Sequence, residues 1–233
     1  MPKILVVMPA YNAESTLAKT LRALPKVYDK VLICDDASKD KTVKIAQGFG
    51  LRTIQNNVNR GYGASQKSLY ALAIKNNANI VIMVHPDNQY NTDCMPEMIK
   101  HIKNGADLVL GSRMQTARQN GMPWWRFLSN RLLSTIQSWA YSAHMSGYHS
   151  GLRAYSTELL QAMPYEKFSN DFVFDSQIIA WAVANGFHID EVNTECYYTE
   201  EVSSIGFMPS LRYGIATLGV IWQFKCGYFR KQK

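Results

Sequence analysis

Acidic and amide side chains gather where short apolar runs of this chain end. Pro9-Ala10-Tyr11-Asn12-Ala13-Glu14 follows the run Ile4 to Met8, and Asp35-Asp36-Ala37-Ser38-Lys39-Asp40-Lys41-Thr42 follows Lys30 to Cys34. A carboxylate in such a loop accepts hydrogen bonds from the ring N–H of a base or from a ribose hydroxyl. Asp40 is equally suited to capping the helix that follows. His85-Pro86-Asp87-Asn88-Gln89-Tyr90 closes the run Ile80 to Val84 with donors spaced to turn toward one divalent cation bridging a diphosphate. A cation there neutralises the charge that develops on a nucleoside diphosphate leaving group. A further loop, Asn59-Arg60-Gly61-Tyr62-Gly63, leads to Lys67, and its two glycines allow close backbone approach to a ligand.

The apolar runs that position these loops alternate with helical stretches. Strands are predicted at about Ile4 to Met8, Lys30 to Cys34, Arg52 to Gln55, Ile80 to Val84 and Asp107 to Leu110. Helices are predicted between them, over Ser15 to Leu24, Asp40 to Gln47, Tyr62 to Lys75 and Met95 to Lys103, several opened by a Ser or Asp that can cap free N–H groups. This order is that of an α/β protein with a doubly wound, mostly parallel sheet, in which ligands bind at the carboxyl ends of the strands. The second half is less regular. Helices are expected from Trp124 to about Ala143 and from about Val173 to Asn185, with the turn-rich Ser146 to Gly151 and then Leu152-Arg153-Ala154-Tyr155 between them, and a strand near His188 to Val192.

A chain of 233 residues, 47% hydrophobic and 18% charged, suits one large core rather than two enzyme domains. The expected organisation is a single domain with a nucleotide-binding half at 1–112, an acceptor half at 113–205 and a basic aromatic tail at 206–233. Cys34, Cys94, Cys196 and Cys226 form no C-x-x-C pair and read as buried, reduced thiols rather than a zinc site or disulfide framework. Met1 to Met8 lacks the pattern of an export segment, and the longest apolar stretches fall short of the roughly 20 residues that span a bilayer, so a cytoplasmic protein is expected. The formal charge of +7 is concentrated. Leu108 to Thr157 has no acid but holds Arg113, Arg118, Arg126, Arg131 and Arg153; from Gly206 onward there is again none, with Arg212, Lys225, Arg230, Lys231 and Lys233. Such patches suit phosphates, nucleic acid or an anionic membrane surface.

Taken in order, the Pro-x-Tyr-Asn-x-Glu loop, the Asp-Asp-x-Ser-x-Asp-x-Thr loop, Asn59-x-Gly61, Asp87-x-Gln89, Gly111-Ser112-Arg113 and Ser150-Gly151-x-Arg153-Ala154-Tyr155 resemble the family 2 glycosyltransferases, over about residues 3 to 200. Within that family they are similar to the branch of dolichyl-phosphate mannosyltransferase and the polyprenyl-phosphate sugar synthases. The resemblance implies a single GT-A domain, a UDP- or GDP-sugar donor, Mn²⁺ or Mg²⁺, and inversion at the sugar carbon. It implies that Pro9, Tyr11, Glu14 and Asp36 hold the nucleoside, with Asn12, Asn59, Gly61, Lys67 and Asp87 completing the donor site. It implies too that Asp87 and Gln89 approach the metal and diphosphate and that Arg113 faces phosphate. One position departs from the family's Asp-x-Asp: the first Asp is His85, and imidazole is a poorer ligand for Mg²⁺ than for Mn²⁺.

Asp171 and Asp175 are the candidates for a catalytic base. A lipid phosphate is already ionised near neutral pH and attacks without one, whereas a saccharide or cell-wall hydroxyl needs one; Asp171 is also placed to cap the helix near Val173. Arg126 or Arg131 is expected to meet the acceptor phosphate, beside Arg113 and Arg153. Trp124, Trp125 and Trp139, with Tyr213, Trp222, Phe224, Tyr228 and Phe229 of the tail, mix aromatic and basic groups as membrane-surface helices do, which favours a polyprenyl-phosphate acceptor and peripheral contact with the cytoplasmic face of a membrane. Two rivals are a hydroxyl-directed transferase and a non-catalytic sugar-nucleotide-binding or membrane-adaptor protein in which His85 marks a lost metal site. A nucleotidyltransferase is disfavoured because Pro9-Ala10-Tyr11-Asn12 is unlike a Gly-x-Gly-[Thr/Ser]-Arg loop. Nucleic-acid binding leaves the acidic loops unexplained.

Overall fold

Every residue of the first strand, β1 (Ile4–Ala10), is buried, because the strand is covered on both faces. Its side chains alternate: Leu5 and Val7 enter one core with Leu32, Val81 and Met83, while Ile4, Val6 and Met8 enter the other with Val31, Ile33 and Ile82. The computed structural model describes residues 2–198 and 207–231; the C-terminal end of the expected acceptor half, 199–205, and residues 206, 232 and 233 of the basic tail lie outside the described residues.

The remaining strands are β2 (Lys30–Asp35), β3 (Thr53–Gln55), β4 (Ile80–Met83), β5 (Leu108–Ser112), β6 (Arg153–Ser156) and β7 (Ile189–Asn193). They form one sheet in the order β3-β2-β1-β4-β6-β5-β7. All pairings are parallel except those of β6, which runs antiparallel to both β4 and β5. The segment from Leu152 to Tyr155, expected only to follow a turn, is therefore the inserted strand that ties the second half of the chain into the first.

Helices α1 (Leu17–Ala23), α2 (Thr42–Gly48) and α4 (Met95–Lys103) bring Leu17, Ala46 and Met98 to one face; α3 (Tyr62–Lys75), α6 (Thr157–Ala162) and α7 (Phe174–Ala184) bring Leu69, Leu159 and Ile178 to the other. The two outer helices are α5 (Trp124–Tyr141) and α8 (Phe207–Lys225). The expected bounds of α3 and α4 hold to the residue. The Ser15 cap does not form: α1 starts at Leu17, and the carbonyl of Ala13 takes the N–H groups of Thr16 and Leu17. The thiols are all free, but the expectation that all are buried fails for Cys226, which is exposed, and Cys94 is only half-buried.

The tail differs most from expectation. Helix α8 packs on α7 and α5, burying Thr217, Val220 and Ile221, and Phe229 beyond it is 2% exposed. No helix among the described residues is long and apolar enough to cross a membrane.

Candidate active site

The loops after β1 and β2 are laced together at the carboxyl edge of the sheet. Asn12 donates its N–H to Ser38 Oγ at 2.8 Å and accepts from Lys39 N at 2.9 Å through Oδ1. Glu14 donates its N–H to Asp40 Oδ2 at 2.9 Å, and its carboxylate takes Lys41 N at 3.0 Å and pairs with Lys41 Nζ at 3.2 Å. The hydrogen bond from the Lys41 backbone holds the Glu14 carboxyl below its ordinary value. Asp40 also accepts from Thr42 N and Oγ1, but it is not the cap expected of it: the N-cap of α2 is Lys41, which makes no side-chain cap, and Asp40 holds the first helical residue from one position further out. Asn12 and Glu14, expected to touch the donor, thus act on the loops themselves, and Tyr11 between β1 and this lattice is left 50% exposed.

The two carboxylates that end β2 have different partners. Asp36 accepts from Asn56 Nδ2 at 2.7 Å, Arg60 N at 2.9 Å and Gly61 N at 2.8 Å, so it shapes the loop 59–61 as much as it awaits a ligand. Asp35 accepts from Ser38 N through Oδ2, and its Oδ1 is buried with no hydrogen-bond partner. A buried carboxylate oxygen without a donor is costly unless a ligand supplies one.

The glycine loop and Lys67 do not have the environment expected of them. Gly61 (φ 98°) and Gly63 make room for the chain itself: a Cβ would lie 2.4 Å from the Asn170 carbonyl oxygen at Gly61 and 2.6 Å from that of Ser169 at Gly63. The Asn170 oxygen accepts from Gly63 N at 2.7 Å, capping α3. Lys67, 8% exposed, donates to the carbonyls of Glu166 and Phe168 and to Asn170 Oδ1. Its ammonium braces the segment 166–170 rather than a phosphate, and burial lowers its pKa.

His85, Asp87 and Gln89 occupy the turn after β4, with Asn88 in the left-handed region at φ 56°. The His85 ring stacks on Tyr62 with centroids 5.3 Å apart, and its Nε2 is 3.0 Å from the Tyr62 hydroxyl. Burial lowers the His85 pKa against the pull of Asp87 and Asp175. The Tyr62 hydroxyl donates to Asp175 Oδ2 at 3.0 Å, Gln66 Nε2 donates to Asp175 Oδ1 at 3.0 Å, and Arg153 pairs with that oxygen at 2.9 Å. Two expectations are corrected here. Asp175 is held by Tyr62, Gln66 and Arg153 of its own chain, which gives it a supporting role rather than that of a base open to an acceptor; Arg153, 1% exposed, is enclosed in the pair and in a bond to the Ser150 carbonyl rather than open to an acceptor phosphate. Asp171, by contrast, is exposed, its Oδ1 accepting only from Phe172 N at 2.7 Å, at the start of α7.

Among the described residues no three His, Cys, Asp or Glu side chains converge on one point. His85, Asp87 and Gln89 offer one nitrogen and two oxygen donors. That partial set would suit a divalent cation that draws its remaining donors from a bound ligand.

Arg113 borders the same site. Its guanidinium lies 5.7 Å from the ring centres of both Tyr90 and Tyr198 and donates to the His149 carbonyl at 3.1 Å. Tyr90 links the two sides, since its hydroxyl accepts from Gly151 N at 2.8 Å. Gly151 in turn lies against His85, where a Cβ would meet the ring edge Cδ2–Nε2 at 2.5 and 2.6 Å. A hollow lined by Arg113, Asn130, Ser134, Gly147 and His149 opens beside it. Arg126 lies over the Trp125 ring at 5.0 Å and Arg131 is exposed, both on α5. Sequence reasoning missed Asp35, Tyr62, Gln66 and Asn170. Only Asp35 carried a signal, as the first of two acids at a strand end.

The profile of glycosyl transferase family 2 matches residues 5–163. An uncharacterized protein of Methanocaldococcus jannaschii is 30% identical over 207 residues, covering 88% of this chain and 85% of that one. The UDP-N-acetylglucosamine–dolichyl-phosphate N-acetylglucosaminyltransferase of Methanococcus voltae is 27% identical over 217 residues, covering 84% and 86%. The crystal structure of glucosyl-3-phosphoglycerate synthase from Mycobacterium tuberculosis, in complex with Mn²⁺, UDP and glucosyl-3-phosphoglycerate, superposes with a TM-score of 0.75 at 18% identity, covering 97% of this chain and 80% of that one.

Proposed function

Because the chain belongs to glycosyl transferase family 2, we propose that it transfers a hexosyl group from a UDP- or GDP-sugar to a polyprenyl phosphate, with inversion. The observation that carries this reading is the meeting, through Tyr90 and Gly151, of the His85–Asp87–Gln89 turn with Arg113 at the edge where the loops of β1 and β2 also end. The relatives that act on dolichyl phosphate supply the acceptor class.

In this reading the nucleoside lies on Tyr11 and Pro9, with Asp36 and the unpartnered oxygen of Asp35 accepting from the base or ribose. His85, Asp87 and Gln89 would hold a divalent cation, which would supply charge neutralisation for the departing diphosphate. Arg113 holds the acceptor phosphate in a geometry fixed by the flanking tyrosines, and Arg126 and Arg131 extend the positive surface along α5. An acceptor phosphate oxygen forms the new bond to the anomeric carbon as the bond from that carbon to the diphosphate breaks. The nucleoside diphosphate leaves with the electron pair. The acceptor is already ionised, so no base is required.

The outward faces of α5 and α8 carry Trp124, Leu128, Leu132 and Trp139, and Met208, Leu211, Ile215, Leu218 and Trp222, each exposed. They support peripheral contact with the cytoplasmic surface of a membrane, where a polyprenyl phosphate would be presented. Calorimetric titration with UDP, GDP, UDP-glucose and GDP-mannose, each with Mn²⁺, Mg²⁺ or chelator, tests the donor site. Metal-dependent binding of one nucleotide, lost in Asp87→Ala, is expected, followed by transfer of that sugar to polyprenyl phosphate. Absence of binding under every condition would leave the non-catalytic adaptor as the better reading.

A further inference from the structure

The His85 imidazole ends a chain of buried polar contacts that the donor site does not itself need. Arg153 pairs with Asp175 at 2.9 Å, Asp175 accepts from the Tyr62 hydroxyl at 3.0 Å, and that hydroxyl is 3.0 Å from His85 Nε2. Each link has a fixed direction. The Asp175 carboxylate, paired with a guanidinium, only accepts, so the single Tyr62 proton points to it. The Tyr62 oxygen is then left with lone pairs toward the histidine, and His85 must donate through Nε2–H. A neutral imidazole with its proton on Nε2 carries its free lone pair on Nδ1. The Cδ2–Nε2 edge is packed against Gly151, at 2.5 and 2.6 Å from a Cβ built there, so Nδ1 lies on the opposite side of the ring.

We propose that Tyr62 is a positioning residue that fixes His85 in the Nε2–H tautomer, making Nδ1 a nitrogen ligand and tuning the cation site toward Mn²⁺ and away from Mg²⁺. The proposal rests on the donor-site reading above. With Asp in place of His85 the turn would offer hard, anionic oxygens; with a neutral nitrogen it has one negative charge fewer and a softer donor, which favours Mn²⁺ in the order of divalent affinities. The hydrogen bond from the ligand's other nitrogen orients the ring and raises its basicity. A histidine free to change tautomer would spend part of its time with Nδ1 protonated and unable to bind.

The test uses the full chain with Mn²⁺ and either UDP or GDP. Electron spin echo envelope modulation of the bound Mn²⁺ is expected to show coupling to a directly bound imidazole ¹⁴N that disappears in His85→Asp. In the same variant Mg²⁺ should gain affinity relative to Mn²⁺. Tyr62→Phe keeps the ring that stacks on His85 but removes the acceptor, and it should weaken Mn²⁺ binding by about 10–100-fold. In that variant ¹⁵N spectra of the metal-free protein should show His85 losing its Nε2–H tautomer. Bound Mn²⁺ without nitrogen coupling, or unchanged Mn²⁺ affinity in Tyr62→Phe, overturns the proposal while leaving the donor site standing. Failure of either nucleotide to bind with any metal overturns both.

Discussion

Arg153 and Asp175 form an ion pair 2.9 Å apart whose side chains are 1% and 10% exposed, directly beneath the loops of the site. The pair joins β6, the inserted antiparallel strand, to the start of α7, and through Tyr62 and Gln66 to the first two turns of α3. A group so placed is structural before it is chemical. Removing the carboxylate leaves a buried guanidinium uncompensated, and Asp175→Ala should lower the unfolding free energy by about 3–5 kcal/mol. Denaturant titration with circular dichroism measures it. Asp171→Ala, at an exposed site, should change stability by no more than about 0.5 kcal/mol.

With Asp175 withdrawn from the chemistry, Asp171 is the remaining candidate for a base, and the acceptor decides whether one is needed. For transfer to polyprenyl phosphate, Asp171→Asn should keep kcat within about tenfold of the parent. General-base catalysis contributes about 10²–10⁴-fold, so a loss of that size would overturn base-free attack by the phosphate. Single-turnover transfer from labelled donor separates the two.

The parallel part of the fold was legible because strands buried on both faces read as unbroken apolar runs, such as Ile4 to Met8 and Ile80 to Val84, and because helices α3 and α4 are flanked by Gly, Asn or Pro. Strand β6 was not legible: its four residues include a charged Arg whose buried charge is met by Asp175, far along the chain. The loop motifs announced a site but not the division of labour within it. Lys67 and Gly63 have the composition of a phosphate loop, yet they meet carbonyl oxygens of residues 166–170, and only tertiary contact distinguishes the two. The tail read as a surface segment because its spacing of apolar residues serves two faces at once, one buried on α7 and one exposed.

The close approach of α3 to the segment 169–174 gives a stability prediction. At Gly63 a Cβ would sit 2.6 Å from the Ser169 carbonyl oxygen and 2.9 Å from Phe174 Cβ. Neither neighbour is the free end of a flexible side chain, so Gly63→Ala should cost about 1–3 kcal/mol by overpacking, read as a lower denaturation midpoint. Gly48→Ala, which meets nothing within 4 Å, is the control.

His149 sets an acid limit on stability. Its Nδ1 is 2.8 Å from the Tyr213 hydroxyl on α8, and burial, helped by Arg113 and Arg153, holds its pKa down to about 3. The unfolded chain binds a proton here below the ordinary histidine value of 6.5 that the folded one refuses. The contribution is therefore complete above that value and is lost as pH falls from it toward 3, with a slope of at most about 1.4 kcal/mol per pH unit from this group. His149→Gln should flatten the stability profile between pH 6.5 and 3 relative to the parent, as followed by urea midpoints.

The paired outer helices make the membrane reading testable without activity. Exposed residues 208, 211, 215, 218 and 222 recur every three or four positions, a stripe along α8, and Trp139 of α5 joins it through the Lys225 ammonium 4.9 Å above its ring. The exposed bases Arg131, Arg212, Arg230 and Lys231 belong to the same acid-free stretches of sequence. Two helices with exposed apolar stripes, whose charged residues are all basic, should bind vesicles containing an anionic lipid better than vesicles of phosphatidylcholine alone, and the difference should shrink with salt. The double variant Trp139→Glu, Trp222→Glu removes two indoles that are 75% and 69% exposed and should leave folding intact. It should reduce vesicle cosedimentation by about tenfold or more, since the apolar contribution and the charge balance both worsen. If vesicle binding is unchanged while sedimentation equilibrium shows a dimer dissociating in the variant, the face is a contact between copies of the chain rather than with lipid.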